Sequence, residues 1–203
     1  MCMRMSSQKK PIQEGEMERT ATENSSGWEL EIRLQHVNPE VVRQIQVPKS
    51  LTFDQLHMVI QEAMGWQNYH LYEFKDNGIS ITTPDDETEF SEATWDATQH
   101  HLDEFPWQEG NIFTYVYDFG DYWVHTIRIG KRLYSPLSRP RVIGGAGACP
   151  PEDVGGPPGY RMFLEAFDDP AHPEHETYVN WSQGHYNREF SAEEADRRLS
   201  LRF

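Results

Sequence analysis

Apolar and polar residues alternate from Trp28 to Val37. Trp28, Leu30, Ile32 and Leu34 share one face, and Glu29, Glu31, Arg33 and Gln35 share the other. A period of two predicts a half-buried strand. Asn38-Pro39-Glu40 signals a turn, and Val41 to Val47 predicts a second strand that ends at Pro48 and completes a hairpin. The period then changes. Phe53, Leu56, Val59, Ile60, Ala63 and Met64 fall on one stripe at helical spacing. Thr52 with Gln55 forms a capping-box pair at the start of that stripe, and Gly65 stands at its end. His57 lies inside this helix and reads as a partly buried or surface histidine.

Strand character returns after Trp66. His70 to Phe74 predicts one strand and Ile79 to Ile81 the next, joined through Asp76-Asn77-Gly78. Asn-Gly between such runs is a strong hairpin cue. The order ββαββ predicts a helix packed on one face of a mixed sheet, a β-grasp-like half. Residues 84–108 are acidic and irregular, with a short helix expected near 92–101. Phe90, Trp95, Leu102, Phe105 and Trp107 are expected to fold this insert back onto the sheet, and the adjacent His100 and His101 to point apart. A central hairpin is expected from Asn111 to Ile129, turning at Asp118-Phe119-Gly120-Asp121, with Trp123, His125, Ile127 and Ile129 on one face. Pro157-Pro158 opens a helix whose apolar face is Tyr160, Phe163, Leu164 and Phe167, and Asp169-Pro170 ends it. Short helices are expected at 173–181 and, after the Ser191/Glu194 capping pair, at 192–199. The fold class is therefore α+β, a single domain over residues 28–203. Residues 1–27 lack a hydrophobic period and read as a disordered leader.

Composition narrows the function. The chain has 203 residues, 12% of them aromatic, enough for one domain with a real core. The net charge is −15, which opposes phosphate backbones and makes a nucleic-acid partner unexpected. Arg128, Lys131, Arg132, Arg139 and Arg141 are the cluster that could still supply a basic face. With no signal peptide and no apolar run of membrane length, a cytoplasmic protein without a membrane partner is expected. Two cysteines, Cys2 and Cys149, exclude a cysteine-rich zinc site.

The densest set of chemically able groups is Asp118, Asp121, His125, Cys149, Glu152 and Asp153. If the glycine- and proline-rich loop around Cys149 folds over the hairpin turn, Asp118, Asp121, His125, Glu152 and Asp153 could hold a divalent metal. The same groups could act as general acid and base. The competing structural reading is that the two turn aspartates satisfy backbone N–H groups and that His125 belongs to the core. Cys149 needs a base or positive potential to become a nucleophile, and His125 is the one candidate base. A buried, inert thiol is the plainer expectation. No phosphate-binding glycine loop is present.

Four motifs, HLYEF at 70–74, YDFGDYWVH at 117–125, CPPEDVGGPPGY at 149–160 and DPAHPEHE at 169–176, stand in order. On these the chain resembles the plasmid pRiA4b ORF-3-like family, also labelled the insertion-element passenger TnpR family, over about residues 28–200. The resemblance implies an α+β domain with a β-grasp-like half, found on plasmids, insertion elements and chromosomes, and brings no established activity. Two positions depart from the pattern. Val154 stands where a second cysteine is frequent, which removes any thiol-pair role. Val42 stands where tryptophan is frequent before the arginine of the second strand. Three functions are carried forward. The first is a binding module, for a protein or small ligand, working through the DFGD turn and the CPPED loop. The second is a metal-dependent hydrolase-type enzyme at the same surface, and the third, less supported, is a DNA-recombination accessory protein.

Overall fold

The alternation at the start of the chain becomes strand β1, Gly27–Leu34, which pairs antiparallel with β2, Val41–Pro48. Trp28, Leu30, Ile32 and Leu34 are all buried on one face. Helix α1, Phe53–Met64, follows. Thr52 Oγ1 accepts from the Gln55 N–H and the Gln55 side chain accepts from the Thr52 N–H, so both halves of the capping box form. Gly65, at φ 95°, closes the helix in the left-handed region, where glycine costs nothing. Strands β3, Tyr72–Asp76, and β4, Ile79–Thr82, form the expected tight hairpin. Asn77 and Gly78 both take positive φ, as a two-residue primed turn requires. This computed structural model describes residues 25–84, 93–182, 186 and 189–203. The expected leader therefore lies mostly outside the described residues. Ser26, within the expected leader, donates its N–H to Leu133 O.

Among the described residues eight strands form one sheet in the order β5 (Thr94–Asp96), β4, β3, β6 (Ile112–Tyr117), β7 (Trp123–Leu133), β1, β2, β8 (Arg141–Ala146). Strands β6, Ile112–Tyr117, and β7, Trp123–Leu133, are the central hairpin. β6 pairs with β3 and β7 with β1. This hairpin thus enters between the two early hairpins, and the ββαββ half is not contiguous in the sheet. The strand order does not confirm the β-grasp-like expectation, because β7 rather than β3 lies beside β1. The helix expected near 92–101 is corrected. The described part of that stretch holds strand β5, Thr94–Asp96, parallel to β4, and a single 3₁₀ turn, Leu102–Glu104, follows it. The described part of the insert packs back: Leu102, Phe105 and Trp107 are buried, and Phe105 and Trp107 meet Phe53 edge-on, while Phe90 lies outside the described residues. His100 bonds to Glu104 and His101 to Ser50 O, so the two rings serve different partners.

Strand β8, Arg141–Ala146, closes the far edge beside β2. Helices α2, Gly156–Asp168, α3, His175–Ser182, and α4, Ala192–Ser200, complete the fold. α4 packs on β8 and α1, and α2 on α3. No helix among the described residues is long and apolar enough to cross a membrane. Two of the basic residues of the β7–β8 region have partners of their own. Arg139 makes a bidentate pair with Asp196, while Arg132 lies over the Trp28 ring and bonds to Trp107 O.

Candidate functional site

The loop between β8 and α2 docks on the β6–β7 turn, and most of the predicted residues are the reason. Asp118 takes φ 57°, a region that Asp tolerates better than bulkier residues. Its Oδ1 accepts from the Gly120 and Asp121 N–H groups at 2.8 and 3.3 Å, which fixes the turn. Asp121 Oδ2 in turn accepts from the Gly155 N–H. Gly156, at φ 66°, lies so close to Asp121 O that an added Cβ would stand 2.5 Å away. Glu152 accepts from the Gln67 N–H at 2.8 Å and from the Tyr117 hydroxyl at 3.1 Å. Its half-buried position pushes its carboxyl pKa up, since burial disfavours the charged form. Trp66 stacks on Tyr117 and donates to Pro150 O. Asp121 and Glu152 are thus ties that hold the loop down.

With the loop down, three donors from three segments converge: His70 Nε2, Asp118 and Asp153. One ligand atom from each lies within 4.8 Å of both others. His70 Nε2 stands 3.0 Å from Asp153 Oδ1 and 3.5 Å from Asp118 Oδ2. The nitrogen is buried, and neither oxygen is aligned with it for a hydrogen bond. Asp118 therefore divides its work: Oδ1 holds the turn and Oδ2 faces His70. Asp153 also takes a positive φ, 58°, so two of the three donors sit in a sparsely used backbone region. Tyr69, Leu71, Phe119 and Tyr122, neighbours in sequence of His70, Asp118 and Asp121, are exposed large side chains.

Sequence reasoning missed His70. It lies just before β3, and Tyr72 pairs with Tyr117, so the register carries residue 70 to the β6–β7 turn. The cue was the histidine that opens the HLYEF run, on the same face as Tyr72 and Phe74. His125, which the sequence grouped with the carboxylates, is not at this centre. It is fully buried on β7, with Nδ1 3.3 Å from Tyr115 O and its ring edge-on to Trp66. Burial lowers its pKa to about 3. It joins the core because it shares the inward face with Trp123 and Ile127. Cys149 lies apart too, in the wall of a cavity beside Arg43. Burial raises its thiol to about 12, which suppresses the thiolate.

The profile of one protein family, plasmid pRiA4b ORF-3-like protein, matches residues 26–197. The chain belongs to this family. The chain is 41% identical over 155 residues to the uncharacterised protein y4hQ of Sinorhizobium fredii, covering 75% of this chain and 78% of that protein. The fold is similar to the crystal structure of MM3350, a protein of unknown function from Methanosarcina mazei Go1. The TM-score is 0.74 at 31% identity, over 82% of this chain and 96% of that one.

Proposed function

We propose that this pRiA4b ORF-3-like protein is a binding module whose working surface is the β6–β7 turn with the CPPED loop, centred on one divalent cation held by His70, Asp118 and Asp153. The observation that carries the reading is the His70 nitrogen. It is buried against two carboxylate oxygens without hydrogen-bond alignment. Ligand atoms that share a metal at about 2.1 Å and stand at right angles to one another are about 3 Å apart, and they lie off the axis of the ring nitrogen. One imidazole and two carboxylates suit manganese, zinc and similar borderline ions. Three protein donors leave coordination positions for water or for an oxygen of the partner. The exposed Tyr69, Leu71, Phe119 and Tyr122 give the partner apolar contacts around that centre.

The test is calorimetric titration of the full chain with Mn²⁺. A single site per chain is expected, weakened by about tenfold or more in both His70→Ala and Asp153→Asn. Asp153 is two-thirds exposed, so its variant leaves the fold intact. No saturable binding below about 1 mM, or equal binding by both variants, overturns the reading.

A hydrolase-type enzyme at the same centre is favoured by one observation, the raised carboxyl of Glu152 beside it. There the cation supplies a Lewis acid and Glu152 a proton acceptor. Ester hydrolysis that needs the cation and is lost in Glu152→Gln with Mn²⁺ affinity unchanged selects this reading over the module.

A further inference from the structure

Arg43 is 1% exposed, the most buried cation among the described residues. It stands on β2 and reaches across the fold. Nε donates to Ala63 O in the last turn of α1, and Nη1 faces the carbonyls of Val42, Ala146 and Gly147. Phe190 lies 3.9 Å over the guanidinium. These contacts hold the side chain in place. They do not balance its charge. No carboxylate among the described residues is within ion-pair distance of it, whereas the half-exposed Arg139 and Arg202 each have one. Nη2 donates to no described residue. A buried cation without a counter-charge is costly, and burial lowers this one to about 10.

Arg43 is also in the wall of a cavity of about 230 Å³, formed where the CPPED loop passes the end of α1 and the start of α4. Trp66, Met64 and Phe190 give it apolar walls, and Arg198, which bonds to Glu62 O rather than to a carboxylate, adds a second guanidinium. The N-terminus of α4, capped by Ser191, brings the positive end of a helix dipole to the same space. Glu152, Glu189 and Glu194 complete the lining.

We propose that this cavity is a ligand site and that Arg43 anchors the carboxylate of a small organic monoanion with an apolar body. Nε and Nη1 are taken by backbone carbonyls, while Nη2 donates to no described residue and keeps its N–H groups for a carboxylate in a charge-assisted hydrogen bond. The apolar walls take the rest of the ligand. The three glutamates disfavour a dianion such as phosphate. The site does not depend on the cation centre, although Glu152 borders both.

The probe is benzoate, with benzyl alcohol and inorganic phosphate as comparisons. The full chain is labelled at the methionine methyls, and the resonance of Met64, assigned with Met64→Leu, is followed by NMR. Benzoate is expected to shift it saturably with a Kd below about 1 mM, and benzyl alcohol to bind about tenfold more weakly or worse. The proposal is overturned by no saturation up to about 20 mM benzoate, by equal binding of benzyl alcohol, or by phosphate binding in place of benzoate. Arg43→Gln also loses contacts that tie α1 to β8, so the unsubstituted chain decides the question. A folded Arg43→Gln that still binds benzoate equally overturns it as well.

Discussion

Histidine plays three different parts here, and the surroundings of each ring decide which. His70 offers its nitrogen to two carboxylates. His57 is enclosed between Tyr115, 2.7 Å from Nδ1, and Asn68, 2.7 Å from Nε2, with Tyr72 stacked on its face. A neutral ring that accepts from the Tyr115 hydroxyl at Nδ1 and donates to Asn68 Oδ1 from Nε2 satisfies both nitrogens. Burial lowers its pKa to about 4, against the partial support of Asn68. His125 is lowered further, to about 3, by full burial. The consequence has a definite sign. Between the folded values and the ordinary value of about 6.5, the unfolded chain binds protons that the folded chain does not. Stability is therefore fully present above that value and declines as pH falls towards 4. For His57 the shift corresponds to roughly 3 kcal/mol. Urea midpoints at pH 7 and about 4.5 should differ less in His57→Gln than in the parent chain. An identical difference in both would remove His57 from the account.

At the scale of elements, the site depends on one docking event, the CPPED loop onto the β6–β7 turn. Neither segment is a site alone. The loop supplies Asp153, the turn supplies Asp118, and the start of β3 supplies His70. The approach is close enough to demand glycine at position 156, where the backbone has a positive φ and Asp121 O occupies the place of a Cβ. Gly156→Ala is expected to lift the loop, cost about 2 kcal/mol of stability and weaken Mn²⁺ binding by about tenfold. Thermal unfolding and calorimetry read the two effects. Unchanged cation affinity in a destabilised Gly156→Ala would mean that the cluster does not need the docked loop. The capping box of α1 is an independent element, and its loss in Thr52→Ala should cost about 1 kcal/mol without touching the cation site.

For the whole molecule, charge is the governing quantity. Eighteen basic residues face thirty-three acidic ones, a net charge of −15. Arg139 is held by Asp196, Arg33 by Glu31 and Glu40, and Arg202 by Glu62. The remaining acidic excess repels itself, and it also raises the local concentration of divalent cations near the cluster. Raising NaCl from about 0.05 to 0.5 M should therefore increase the melting temperature while it weakens Mn²⁺ binding, because one screening effect acts on both. A melting temperature that falls with salt would show that specific ion pairs outweigh the general repulsion.

Local patterns settled much of this protein in advance. The alternation at Trp28–Leu34, the capped stripe of α1, the Asn77-Gly78 turn and the prolines that open α2 are each decided by neighbours a few residues away, so they can be read along the chain. The DFGD turn and the CPPED loop were visible as the place where able groups gather. The order of the sheet was not visible. Whether β7 pairs with β1 or closes on its own hairpin depends on competing apolar faces far apart in sequence, and that competition is settled only by packing. The same applies to the site. His125 and His70 look alike as residues, but the inward face of β7 takes one into the core, and the register of β3 on β6 brings the other to the carboxylates. Arg43 is the extreme case: its charge, its burial and the cavity beside it come together from β2, α1, β8 and α4, a meeting that the folded chain alone creates.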